Sequence, residues 1–248
     1  MKFLAWICAA ISVFVVILAA SGLYAQDAAS LMKQADDLWL KRSASDATAY
    51  EAVKLYEQAA QADPKNDVPL YNIARAYQFL GRFAPKNKQE SVFKQGMEYA
   101  KNALAVNPNS VGGHYWYAAC LARSLQNKGI TTKMKYAGEL TDHLETSIKL
   151  DPSYYYGGPD RVIGMIYFKS PLAKNSTAIE HLRKSLKYDP DYSLTLVNLA
   201  EVLIKEKQYD EAKQYIDKVL NLKARPGFER ELADDKALAK ELLDSIPK

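Results

Sequence analysis

The sequence predicts an all-α fold of antiparallel helix-pair repeats, about five pairs, with elongated middle pairs and a C-terminal capping helix. Three observations carry that expectation. An acid or amide followed by proline recurs at Asp63-Pro64, Asn107-Pro108, Asp151-Pro152 and Asp189-Pro190, so the stops lie 44, 44 and 38 residues apart. Proline lacks an N–H and disfavours helical geometry in the residue before it, so each such dipeptide ends a helix. Upstream of every stop stands one skeleton with offsets of 4, 3 and 5 residues: Ala52, Tyr56, Ala59, Pro64; Gly96, Ala100, Ala103, Pro108; Leu140, Leu144, Ser147, Pro152; Ala178, Leu182, Ser185, Pro190. Downstream of every stop stands a second: Ile73, Ala74, Tyr77; Tyr117, Ala118, Leu121; Ile163, Gly164, Tyr167; Leu199, Ala200, Leu203. Small and apolar residues three or four apart form one face of a helix and admit a neighbouring helix closely.

Taken in order, the first pair is the loosest. Leu31, Ala35 and Leu38 supply its first helix, ahead of a long turn at "KRSASDATAY". The second and third pairs carry extra residues between their helices, around "GRFAPKNKQESVFKQ" and "RSLQNKGITTKMKY". The fourth pair starts at "YYYGGPD", where Gly158 is read as the N-cap, Pro159 as the first helical residue, and Asp160 as a complement to the positive helix end. That reading leaves three adjoining tyrosines and two glycines unexplained. Glycine permits close backbone approach, and tyrosine offers rigid amphipathic contact surface. In the fifth pair Leu196, Leu199, Ala200, Leu203, Tyr209, Ala212, Ile216 and Val219 keep the pattern without a gap. After Pro226, Phe228, Leu232, Ala239, Leu242, Leu243 and Ile246 outline one more amphipathic helix, the cap a terminal repeat needs.

Residues 1–25 stand apart as a signal peptide or N-terminal anchor, with residues 26–248 the helical-repeat domain. Lys2 is the only charge of that leader, Phe3 to Ala20 are apolar throughout, and "LYA" fits cleavage after Ala25. The expected location is periplasmic or otherwise exported, with the inner membrane as partner only if the leader stays uncleaved. Cys8 follows "LAWI", which is not the small-residue pattern of a lipid-acceptor cysteine, so Cys120 is left alone after cleavage and reads as a small core residue. A net charge of +4 over 248 residues without a basic run excludes nucleic acid as the expected partner.

The skeletons resemble the tetratricopeptide repeat (TPR), a 34-residue antiparallel helix pair, over about residues 27–222. The observed spacings exceed that period by 10, 10 and 4 residues, which implies a more closed, domain-like bundle than a regular array. A narrower resemblance lies at residues 150–215 and at "QADDLWLKR". The Tyr/Gly-Gly segment, Arg161-Val162-Ile163-Gly164 with Tyr167, and "AIEHLRKSLKYDP" are similar to the T-component of TRAP-type transporters. That resemblance implies an accessory around a cavity, able to homo-oligomerise, with a periplasmic solute-binding protein and a small organic ligand as partners. The alternative is a general envelope scaffold gripping a peptide in its concave groove.

In TPR proteins the first helix of each pair forms the inner face. Carried over, that implies Tyr71, Asn72, Arg75, Gln78 and Phe79; Tyr115, Trp116, Ala119, Ala122 and Arg123; Arg161, Val162, Met165, Phe168 and Lys169; and Val197, Asn198, Glu201, Ile204 and Lys205. Tyr155, Tyr156, Gly157 and Gly158 are expected to add contacts from their loop. Aromatic rings studded with Asn and Arg suit an anionic or amide-bearing ligand, though the same rings could serve only to fill the superhelix. Asn72 and Asn198 occupy a position used by carboxylate-clamp TPRs, but the lysines of that clamp do not line up. No catalytic residue, metal site or cofactor is expected. His114, His143 and His181 fall on different helices without ligand spacing, and "GGPD" lacks the Lys-Ser/Thr end of a phosphate loop.

Overall fold

The computed structural model describes residues 27–247, so the leader, its cleavage after Ala25 and Cys8 lie outside the described residues. The described chain is helical from end to end: α1 (27–39), a 3-10 turn Arg42–Ala44, α2 (Asp46–Ala62), α3 (Val68–Phe83), α4 (Lys86–Val106), α5 (Val111–Ser124), α6 (Ile130–Leu150), α7 (Tyr154–Lys169), α8 (Asn175–Tyr188), α9 (Ser193–Lys205), α10 (Tyr209–Asn221) and α11 (Glu229–Asp244). Five antiparallel pairs, α1/α2 to α9/α10, are followed by the single helix α11. Among the described residues no helix is long and apolar enough to cross a membrane.

Each proline stop ends a helix as the spacing requires. The carbonyls of Ala59, Ala103 and Ser147 accept from the N–H of Asp63, Asn107 and Asp151 at 3.0, 2.8 and 2.8 Å. The skeleton residues Ala52, Ala59, Ala100, Ala103, Leu144, Ser147, Ala178, Leu182 and Ser185 are fully buried between neighbouring helices. Gly96 is small because its partner is close: a Cβ there would meet the Cys120 Sγ at 2.7 Å. Cys120 is itself fully buried, and burial pushes its thiol well above the ordinary range, away from the reactive thiolate.

Two sequence expectations change here. The segment "KRSASDATAY" is no long turn, because the Ser45 hydroxyl accepts from the Thr48 N–H at 3.2 Å and α2 begins at Asp46. The surplus residues of the second and third pairs are no loops either. They become extra turns at the starts of α4 and α6, each 21 residues long against 14 in α8 and 13 in α10.

The last helix returns to the first two pairs. Arg42 reaches Glu231 at 2.7 Å, and Arg82 of α3 reaches Asp234 at 2.6 Å and also pairs with Asp235. Ser43 Oγ donates to the Gly227 carbonyl at 2.8 Å, and Arg230 pairs with Asp46. The Arg42 guanidinium lies 4.4 Å from the centres of both the Trp39 and Phe228 rings. This clasp turns what would be an open superhelix into a closed ring, beyond the capping role that the sequence suggested for α11.

Candidate binding cavity

The ring surrounds a cavity of about 760 Å³. Its floor is the inner face of α3, α5, α7 and α9, contributed by Gln78, Phe79, Tyr115, Trp116, Ala119, Ala122, Arg123, Arg161, Val162, Met165, Lys169, Asn198 and Glu201. One wall consists of the surplus turns: Lys86, Gln89 and Phe93 from α4, and Ile130, Lys133, Met134 and Ala137 from α6. The opposite wall is the clasp helix, through Glu231, Asp234 and Leu238. The insertions that break the repeat period therefore build the cavity.

The stretch "YYYGG" sets the floor. Tyr155, Tyr156 and Gly157 are all left-handed, at φ 46°, 62° and 68°, and the right-handed part of α7 begins at Gly158. Left-handed geometry costs an L-residue roughly 1–2 kcal/mol, so packing must hold these tyrosines in place. Tyr155 sits 4.5 Å from the Trp116 ring and 5.8 Å from the Tyr115 ring, and Tyr156 stacks on Tyr192 at 4.9 Å. Arg161 donates to the Tyr115 hydroxyl at 2.8 Å and lies 4.5 Å above Tyr192. Both glycines are forced by close approach. A Cβ on Gly157 would stand 2.7 Å from the Ser185 carbonyl oxygen, and one on Gly158 would stand 2.6 Å from the Tyr115 ring. The expected loop is thus a buried left-handed turn that inserts Tyr155 into the floor, and Gly158 is its first right-handed residue rather than a cap. Asp160, expected to serve the helix end, instead lies 2.7 Å from His181 Nδ1 and hydrogen-bonds to it.

Of the residues expected to bind, Gln78, Tyr115, Trp116, Tyr155, Arg161 and Asn198 line this one cavity. Tyr71, Asn72, Arg75, Tyr156, Gly157 and Gly158 do not. Arg75 faces the first pair, donating to the Tyr56 hydroxyl at 3.0 Å and lying 4.5 Å above the Trp39 ring, with Asp36 3.9 Å away. The Tyr71 ring meets Tyr154 edge-on at 6.4 Å, and Asn72 is buried. Sequence reasoning missed Tyr192, the surplus turns as walls, and the clasp. One signal for the clasp was available: Asp235 stands three residues after Leu232 and four before Ala239, an acid on the apolar stripe of its helix. A buried acid calls for a cation elsewhere in the chain.

Electrostatically the cavity is cationic. Its three acids are all engaged: Glu231 with Arg42, Asp234 with Arg82, and Glu201 with Lys169 at 2.6 Å. Burial pushes the Glu231 carboxyl above its ordinary range despite Arg42. Burial, followed by the charge of Arg82, holds the Arg123 guanidinium down at about 10. Burial pushes the Tyr155 phenol up to about 12, so it stays a neutral donor. His114 and His143, which their spacing kept apart, meet on α5 and α6 with their Nδ1 atoms 2.9 Å apart. Among the described residues no group of three or more His, Cys, Asp and Glu could hold a metal ion. Such a lining can hold and orient an extended segment by stacking and charge.

Comparison with known proteins agrees with this picture at the level of fold. A family profile described as regulator of microtubule dynamics protein 1-3 matches residues 31–156, half of the chain, and a tetratricopeptide-repeat profile matches residues 174–226. Regulator of microtubule dynamics protein 1 of Pongo abelii is 27% identical over 175 residues, covering 62% of this chain and 56% of that protein. Its counterpart in Homo sapiens is 26% identical over 154 residues, covering 54% and 49%. The chain spans about half the length of the curated relatives it matches. Among solved structures, a thermophilic TPR protein of Thermus thermophilus superposes with a TM-score of 0.63 at 19% identity, covering 86% of this chain and 99% of that one. PilW, a type IV pilus biogenesis factor, superposes with a TM-score of 0.53 at 18% identity over 90% of both chains. These likenesses establish an all-helical TPR fold.

Proposed function

This chain belongs to the regulator of microtubule dynamics protein 1-3 family, and from that membership and the clasped cavity we propose a non-catalytic scaffold that holds a segment of a partner protein against the aromatic floor. The observation that carries the proposal is the convergence of Tyr115, Trp116, Tyr155 and Tyr192 on one concave surface. Aromatic rings give large contact area at low entropic cost, which is how a binding face gains affinity from few residues. An exported location, following from the leader at residues 1–25, is part of the proposal.

The relatives are named for microtubule dynamics, but an exported repeat domain would not meet microtubules, so the first partners to seek are proteins of the compartment that the chain reaches. A second reading, a TRAP T-component-like accessory to a solute-binding protein, draws on the Tyr/Gly-Gly segment and on the ring form of the cavity. None of the relatives named above is a T-component, so it ranks second. The experiment is a crosslinked pull-down with tagged protein and with Ala137→Trp, which fills the cavity from its wall. A partner identified with the wild-type chain and lost from Ala137→Trp at unchanged melting temperature supports the scaffold. Equal recovery by both places binding elsewhere and overturns it. A solute-binding protein among the lost partners would favour the transport reading.

A further inference from the structure

The charges of the cavity lining narrow down its occupant, given the scaffold reading on which this step rests. Every acid of the lining is paired with a cation of the protein, as described above. Lys86, Arg123, Lys133 and Arg161 have no carboxylate partner among the described residues. Arg123 has only the amide of Gln126 at 3.5 Å, and Arg161 only neutral oxygens. Arg161 is 3% exposed, so its charge is withdrawn from water. A buried cation whose direct contacts are neutral oxygens and an aromatic face keeps its charge and can receive a carboxylate from outside.

A second observation points the same way. The first turns of α4 and α6 form the wall, and neither has an acidic residue or a side-chain cap. Both instead place lysine there, Lys86 and Lys133, against the preference of a positive helix end for negative charge. The arrangement weakens each helix taken alone, and an anion between the two ends would reverse the sign of that effect.

We propose that the segment seated in the cavity is acidic, with its carboxylates received by Arg123 and Arg161 on the floor and by Lys86 and Lys133 on the wall. Arginine binds a carboxylate through two parallel N–H bonds and fixes its orientation, whereas the lysines act as point charges. Arg161 also supports the left-handed turn through Tyr115 and Tyr192, so it is left intact in the test.

The probe is a glutamate-rich peptide set against its glutamine counterpart of equal length, followed by titration calorimetry and by the fluorescence of Trp116 on the floor. The glutamate peptide is expected to bind at least about tenfold more tightly, with an affinity that falls as salt rises. Arg123→Gln and, separately, the wall pair Lys86→Gln with Lys133→Gln should each weaken binding about tenfold at unchanged melting temperature. Equal binding of the two peptides, or indifference to both sets of substitutions, overturns the proposal. So does preferential binding of phosphatidylcholine vesicles containing phosphatidylserine, lost in the same variants, which would assign the cations to a lipid surface. If the acid preference fails while Ala137→Trp still loses its partner, the scaffold stands and only its acidic ligand falls.

Discussion

At Gly157 the backbone and its surroundings impose the same demand. The residue is left-handed at φ 68°, and a side chain there would run into the Ser185 carbonyl across the α7–α8 contact. Gly157→Ala therefore carries a conformational cost and a steric one together, about 2–4 kcal/mol in all. Chemical denaturation should show that loss, and Trp116 fluorescence should shift as Tyr155 leaves the floor. A change below about 1 kcal/mol would mean that the turn relaxes to right-handed geometry freely. Arg75 illustrates the opposite situation. Its offset implies a cation on a TPR inner face, yet its hydrogen bond and ring contact are made inside the first pair, with Tyr56 and Trp39.

Between elements, the α5–α6 contact contains a titratable junction. The Nδ1 atoms of His114 and His143 lie 2.9 Å apart, while His114 Nε2 is 2.9 Å from the Pro108 carbonyl oxygen. Burial, and then the neighbouring His114, lower the His143 pKa. A depressed histidine pKa gives stability that is present above the unfolded value and lost as pH falls, because the unfolded chain takes up the proton first. The melting temperature of the wild-type chain, relative to His143→Gln, should thus decline from about pH 6.5 downward. A constant difference across that range would show that the pair tolerates two charges. Element boundaries were largely legible in the sequence because Asp/Asn-Pro stops and small-residue skeletons act locally. The floor residues Tyr115, Trp116, Arg161 and Asn198 were reached through the TPR resemblance, whose inner-helix offsets also named Tyr71, Asn72 and Arg75, which do not line the cavity. The left-handed turn, the histidine junction and the surplus turns as walls depend on which helices lie side by side, and a single helix's periodicity carries no trace of that.

For the molecule as a whole, the clasp is the feature that an open repeat array lacks. Burial alone would lower the Arg82 pKa, yet Asp235 and then Asp234 hold it above its ordinary value. Removing one partner of such a pair leaves the other charge stranded, so Asp235→Ala should destabilise by about 3–5 kcal/mol. Breaking the exposed Glu90–Lys94 pair should have a far smaller effect, at the level of a surface ion pair. Equal costs in denaturant titrations would indicate that the clasp is a surface contact only. The partners of the clasp stand far apart in the chain: 189 residues separate Arg42 from Glu231, and 153 separate Arg82 from Asp235. Helix pairs can form as they leave the ribosome, but the link between the ends has to wait for the last helix. Until α11 arrives, Tyr156 and Tyr192 lack the Phe228 ring that packs edge-on against both. Until then the nascent chain carries an unfinished apolar edge, and that interval is when a chaperone would find it.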